Sequence, residues 1–223
     1  MKNLAATNYF SNPRPELVER IRQGPNRVLE VGCAEGVMGG CLKQSGMARQ
    51  VIGIEINPDA AKLARTRIDE VHCGDIEQMS LDSGEFRARS FDYVICGDVI
   101  EHLRCPEVVV KRLLTLLKPD GYFIVSVPNV RHWSVVSSLL FAGEWRYEPF
   151  GIMDETHMRF FTRKSILRLL REANTELVEV KPSYWTKVDR LGPFATLGLG
   201  REFFCRQWVA VVRPRDTAIR PIA

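Results

Sequence analysis

The sequence predicts an α/β fold, a mostly parallel sheet covered by helices on both faces. Three observations carry that expectation. Strand-like and helix-like stretches alternate from Arg27 to Val127, the pattern of parallel strands joined by crossover helices. The first apolar, β-branched run ends in the tight turn Gly32-Cys33-Ala34-Glu35-Gly36, and the second ends in an acid, Glu55. Two further apolar runs close the chain across a stretch containing Gly192-Pro193, Gly198 and Gly200, which suits an antiparallel hairpin at one sheet edge.

The elements follow in order. Residues 15–23 read as a short amphipathic helix opened by Pro15 at a first-turn position. Residues 27–31 are the first strand, 37–44 a helix and 50–56 the second strand. Asn57 caps a helix over 58–67, with Pro58 in its first turn. Residues 69–73 make a short third strand, 80–90 a polar loop or loose helix and 91–96 a buried fourth strand. The helix over 107–117 is expected to stop at Pro119-Asp120-Gly121, before a fifth strand at 122–127. From Pro128 to Phe161 the alternation breaks. That aromatic-rich stretch is too long for a plain connection, and long insertions of this kind usually carry function. Thr162 caps a helix over 163–173, residues 176–184 and 202–213 form the hairpin, and 214–223 read as a frayed tail. With no internal repeat, the expectation is one domain over 1–223, with 129–161 as a substrate-side insert.

Composition narrows the function. With 223 residues, 45% hydrophobic and 26% charged, the chain can bury an ordinary globular core. The net charge of +4 suits an anionic substrate, but no basic run points to nucleic acid. Six cysteines lack any C-x-x-C pair, so reduced, mostly buried thiols are expected. His102-Leu103-Arg104-Cys105 resembles half a metal site with no second half, so no metal is expected. There is no basic-then-apolar leader and no apolar run long enough to span a bilayer. The expected setting is cytoplasmic, as a monomer or homodimer.

A strand–loop–helix–strand unit whose second strand ends in an acid presents a ribose-containing ligand. The loop lets the ligand approach the backbone, and the carboxylate accepts from two ribose hydroxyls. Glu55 lies 19 residues after Gly36, close to the roughly 20 of such units. The loop also discriminates between ligands. Ala34 stands where a dinucleotide fingerprint has its middle glycine, and Glu35 would repel a pyrophosphate but not a cationic or zwitterionic ligand. Both features, with the terminal hairpin, count against an NAD-dependent dehydrogenase.

Glu30-Val31-Gly32-Cys33-Ala34-Glu35-Gly36 resembles the E/D-x-G-x-G-x-G first motif of the class I S-adenosylmethionine (SAM)-dependent methyltransferases, with Ala34 replacing the middle glycine. Cys73-Gly74-Asp75-Ile76 matches the family's acid and ring-packing residue after the third strand. Phe91-Asp92-Tyr93-Val94 through Val99-Ile100-Glu101-His102-Leu103 resembles its F-D-x-V-x-x-x-x-V-L-E-H-L segment. The Asn/Asp-Pro-Pro-Tyr/Phe of nucleobase and glutamine methyltransferases is replaced by Gly97-Asp98-Val99-Ile100, which points towards small molecules. Asp154-Glu155-Thr156-His157-Met158-Arg159-Phe160-Phe161-Thr162 looks like the D-x-T-H-x-R-F-F-T segment of a bacterial glycan- and metabolite-tailoring subgroup, as does Pro128-Asn129-Val130-Arg131-His132-Trp133.

The resemblance implies a Rossmann-like class I methyltransferase fold: seven strands, mostly parallel, a C-terminal antiparallel hairpin and an insert after strand five. It implies SAM as cofactor, held by Glu30, Gly32, Cys33, Ala34, Gly36, Glu55, Ile56, Asp75, Ile76, Gly97 and Asp98. Tyr9 and Arg14 precede the first helix as a candidate lid over that ligand. On the substrate side stand Asn129, Trp133, Asp154 and Arg159, the last as a fork for an anionic group. His157 titrates near neutrality and is the candidate general base, with His102 as its rival. The alternative is that Asp154, His157 and Arg159 form a clasp fixing the insert on the sheet. The expected reaction is O-methylation of a sugar or other hydroxylated metabolite. N- or C-methylation and a catalytically silent SAM-binding module are the alternatives.

Overall fold

The computed structural model of the protein describes residues 13–82, 84–195 and 200–215. Seven strands form one sheet: β1 (Asn26–Val31), β2 (Ala48–Glu55), β3 (Glu70–Cys73), β4 (Phe91–Gly97), β5 (Leu117–Pro128), β6 (Thr175–Ser183) and β7 (Gln207–Pro214). Their order is β3-β2-β1-β4-β5-β7-β6. The first five run parallel, and β7 is antiparallel between β5 and β6. The expected seven-stranded sheet with its antiparallel C-terminal pair is therefore present, with β6 at the edge and β7 inside it.

The central strands are largely apolar because both of their faces are covered. Alternate residues feed two separate cores. Leu29, Val31, Val94, Phe123 and Val125 pack on one face against α4 (Pro106–Leu114) and α6 (Arg163–Glu172). Val28, Val51, Ile95 and Ile124 pack on the other against α1 (Pro15–Val18), α2 (Val37–Gln44) and α3 (Pro58–Ala64). Helix starts follow the sequence. Asn57 Oδ1 accepts from the amides of Asp59 and Ala60 at α3. Thr162 and Ser165 form a reciprocal capping box at α6.

Several expected elements differ. The helix expected over 15–23 is a single turn at Pro15–Val18, because the chain then bends so that the Arg22 amide donates to the Tyr93 hydroxyl at 3.1 Å. The helix expected to reach 117 ends at Leu114, and Leu117 already pairs with Phe91. Pro119-Asp120-Gly121 does not stop a helix. It lies inside β5 at a bulge, where pairing jumps from Phe91↔Leu117 to Tyr93↔Tyr122, which accommodates a proline without a ladder donor. Residues 202–204 are helical rather than strand. They belong to α8 (Arg201–Phe204), which with α7 (Lys187–Ala195) separates β6 from β7. Phe204 packs against Gly192 of α7, and that contact holds the segment as a helix pair. Three of the six thiols (Cys33, Cys96, Cys205) are buried; Cys73 and Cys105 are exposed.

The strand order reverses between β1 and β4. Ligands of open α/β sheets bind at the carboxyl ends of strands beside such a switch point. The Gly32–Gly36 loop and Gly97-Asp98 flank it.

Candidate functional site

The loop after β1 has three residues in the left-handed region: Gly32 (φ 69°), Ala34 (φ 49°) and Gly36 (φ 72°). Ala34 accordingly adopts the conformation usually given to glycine, at a cost of about 1 kcal/mol. Glu55 offsets it, because its Oε2 accepts from the Ala34 amide at 2.8 Å while Oε1 accepts from the Asn57 amide at 2.8 Å. Each carboxylate oxygen keeps a further lone pair for a ligand hydroxyl. Next to it Ile56 is 68% exposed, an apolar surface at the crevice that a flat ligand ring would cover. These residues fit SAM: Glu55 would hold the ribose and Ile56 a face of the adenine, while the amides of Gly32, Cys33, Ala34 and Gly36 already donate within the fold.

Other members of the expected cofactor set are placed differently. The Cys33 side chain turns into the core beneath the loop, and its amide donates to Ile54 O. It offers the ligand neither group. Ile76 packs in the main core with Leu81 and Phe86 instead of on a ligand ring. Asp75 is half-buried, its oxygens taking the Glu77 amide and the Gln78 side chain, the local turn its sequence suggests. Tyr9 lies outside the described residues.

Glu30 lies in β1 with its Oε2 buried and, among the described residues, without a hydrogen-bond partner. A side chain at Gly39 would come within 2.9 Å of that oxygen, so the glycine makes room for it. Burial lifts the Glu30 pKa to about 8, and the Gly39 amide and Arg14 charge offset only part of this. Raised in the fold, this carboxyl stabilises the protein fully below its unfolded pKa, and the contribution is lost as pH rises through the folded value. Stability should fall between about pH 4 and pH 8, by up to about 1.4 kcal/mol per unit from this group. Glu30→Gln should flatten that slope in urea midpoints measured across the range; parallel slopes would contradict it.

At the end of β4, Asp98 is also left-handed (φ 56°), a strain of the kind that collects at ligand edges. A polar network holds it. Ser126 Oγ donates to Oδ1 at 3.0 Å, the Gln207 amide also reaches Oδ1, and Arg14 Nη1 lies 3.1 Å from Oδ2. Arg14 also donates to Ser126 Oγ at 2.9 Å and pairs with Glu16 at 2.6 Å. It therefore anchors the start of the described chain against Gly97 and Asp98. Sequence reasoning missed Ser126 and Gln207.

The insert is closed at its neck by an Asn129↔Phe161 bridge and by the Val130 amide on Phe161 O, 2.9 Å. Asn129 is 1% exposed. It donates both amide hydrogens to the carbonyls of Glu202 and Cys205, so it fastens the neck and has no donor for a substrate. Its neighbour His132 is fully buried, with Nε2 3.0 Å from Asp189, and ties the insert to α7. Trp133 opens a short helix, α5 (Trp133–Ser137), its exposed ring beside His132. Trp145 and Tyr147 lean on Phe160.

The far end of the insert folds back over the turn after β4. The Glu101 carbonyl accepts from the amides of both Met158 and Arg159 at 2.9 Å. This brings His157 beside His102, with ring centroids 4.7 Å apart and nearly edge to face. His102 Nδ1 meets Thr156 Oγ1 at 3.0 Å, and Thr156 Oγ1 donates to Asp154 at 2.6 Å. His157 Nδ1 lies 3.1 Å from the Ile152 carbonyl. Burial, reinforced by His102, lowers the His157 pKa, so this ring is neutral near pH 7. Arg159 is exposed, with Nη2 on Arg104 O. Part of the clasp is thus real, through Asp154–Thr156–His102 and Arg159–Arg104, although the His157 ring bonds Ile152 and not Asp154. Glu101, also missed, is buried among these groups, and burial followed by the Asp98 charge pushes its pKa well up.

The model of a family described as a methyltransferase domain matches residues 6–180. A ubiquinone biosynthesis O-methyltransferase of Thiobacillus denitrificans is 30% identical over 174 residues, 74% of this chain and 72% of that protein. Its counterpart in Neisseria meningitidis serogroup C is 29% identical over 160 residues, and the match spans 70% of this chain and 66% of that protein. A SAM-dependent methyltransferase from Archaeoglobus fulgidus shares the fold with a TM-score of 0.66 at 18% identity, over 95% of this chain and 99% of that one. One from Mesorhizobium loti gives 0.64 at 17%, over 89% and 96%. No described helix is long and apolar enough to cross a membrane. With a family match over most of its length, and a sheet that reverses beside a glycine loop and the acid that ends β2, the chain belongs to the class I SAM-dependent methyltransferases.

Proposed function

We propose that the enzyme methylates a hydroxyl oxygen of a small metabolite, and that the His102–His157 pair takes the hydroxyl proton. SAM, when bound, supplies an electrophilic methyl group on a sulfonium, so the protein has to align the acceptor and remove its proton. The observation that carries the reading is the pair of imidazoles. Each has Nδ1 engaged by a hydroxyl or carbonyl, which leaves Nε2 as the lone-pair nitrogen. The relatives' names support oxygen as the acceptor atom. Exposed Trp133, Tyr147 and Phe150 give the insert flat faces on which a sugar or an aromatic ring stacks.

Two measurements test this. Mass spectrometry of the protein as purified should find SAM or S-adenosylhomocysteine, and a methyl-transfer screen over sugars and phenols should find product at oxygen. No turnover on any hydroxyl, with transfer to an amine instead, would reject it. In thermal-shift assays the protein should respond to S-adenosylhomocysteine and not to NAD or NADP, because Ala34 and Glu35 leave no room or favourable charge for a pyrophosphate. A larger shift with NAD would reverse the ligand assignment.

A further inference from the structure

We propose that Gln207 determines specificity, its side-chain oxygen accepting from a second hydroxyl on the molecule to be methylated. Gln207 opens β7 and is 1% exposed. Its Nε2 donates to Asp98 Oδ1. A carboxylate oxygen only accepts, so the amide hydrogens face Asp98 and Oε1 turns away from it. That oxygen is buried and has no hydrogen-bond partner among the described residues. A buried carbonyl left so is costly and calls for a physical explanation. A donor brought in by a ligand supplies one.

The place of this oxygen selects the ligand. Gln207 pairs with Pro128, the last residue of β5, just before the neck of the insert. The Asn129 amide donates to Arg206 O at 2.8 Å, and its side chain donates to Cys205 O. The insert thus leaves the sheet on the two residues that precede Gln207. On the other side the Asp98 charge bears on both Glu101 and His157. Three strands, β1, β4 and β5, lie between β7 and β2, which carries Glu55. Gln207 accordingly belongs to the acceptor end of the crevice and not to the ribose end.

Charge selects the donor. Arg14 Nη1 lies 3.1 Å from Asp98 Oδ2 and offsets that carboxylate, so this corner does not call for a cation. A neutral O–H satisfies the amide oxygen without adding charge. A carboxamide takes no proton near neutral pH, so Gln207 orients the acceptor and leaves proton removal to the histidine pair. The oxygen is enclosed, and an acceptor reaches it by displacing the side chains that cover it. That the O–H belongs to the acceptor rests on the hydroxyl-transfer reading, which it narrows to molecules with a second hydroxyl near the reacting one.

The test measures binding of matched probes to the full chain loaded with S-adenosylhomocysteine, by NMR titration. Cyclohexanol is compared with cyclohexane-1,2-diol and cyclohexane-1,3-diol, and phenol with 1,2- and 1,3-dihydroxybenzene. In at least one series the diol should bind about 10- to 100-fold tighter than its single-hydroxyl parent. Gln207→Met, close in shape, should abolish that preference. Gln207→Asn, which withdraws the oxygen by one methylene, should reduce it and keeps the test open if Gln207→Met fails to fold. A purely structural Gln207 would weaken parent and diol alike. No diol preference in the unaltered protein, or a preference kept in both variants, would overturn the proposal. A fall in S-adenosylhomocysteine affinity with the preference intact would give Oε1 to the cofactor and overturn it too. Turnover is read separately. A Gln207-dependent preference without methyl transfer to oxygen keeps the diol site and rejects the hydroxyl-transfer reading; transfer to oxygen without the preference does the reverse.

Discussion

Glu55→Ala should weaken binding of S-adenosylhomocysteine by roughly 30- to 150-fold, the loss of a charge-assisted pair of hydrogen bonds worth about 2–3 kcal/mol. The size follows from the geometry. Each oxygen of this carboxylate takes one backbone amide, from Ala34 and from Asn57, and so is oriented before any ligand arrives. Losing it removes the ribose partner and also the acceptor that holds Ala34 at positive φ. Glu55→Gln separates the two effects, since the amide oxygen still serves Ala34 while half of the ribose recognition is lost. Calorimetry decides, and an affinity unchanged in Glu55→Ala would remove the ribose from this position.

His157→Ala should leave S-adenosylhomocysteine affinity near normal and lower methyl transfer by about 10²- to 10⁴-fold, the usual worth of a positioned proton acceptor. The ring lies at the acceptor end, away from the Glu55 side of the crevice, so cofactor affinity and turnover should separate cleanly. His102→Ala in parallel tests the competing group. If His157→Ala unfolds while His157→Gln does not, the ring's chief work is to clasp the insert through Ile152. If His157→Ala turns over normally and His102→Ala does not, the proton goes to His102.

Where the chain's own order contains the information, the sequence was readable. β1, β2 and β4 are covered on both faces and so read as largely apolar runs. The glycine loop and Glu55 lie within one strand–helix–strand unit. Pro119 and Gly121 misled because a bulge tolerates what a regular ladder rejects. Residues 202–204 misled because their helix depends on Phe204 meeting α7. In the site, Ser126 and Gln207 reach Asp98 from 28 and 109 residues away, a relation no local pattern contains. A signal did exist for two residues. Ser126 interrupts the apolar run Phe123–Val127, and Glu101 is an acid held between Ile100 and Leu103. Polar groups so placed in apolar surroundings need partners from elsewhere in the fold.

The pinched neck of the insert bears on how such an enzyme diversifies. Asn129 and Phe161 bring the two ends of the segment together, and loop closure depends only weakly on length, about 0.6 kcal/mol for each doubling. Residues can be added, removed or exchanged around the exposed tip at Gly143–Gly151 with little thermodynamic penalty, while the sheet and its cofactor edge stay as they are. On the proposed reading, acceptor preference would then be written on an interchangeable cassette. Grafting the tip of a related enzyme between residues 143 and 151 is then the economical route to a changed substrate range.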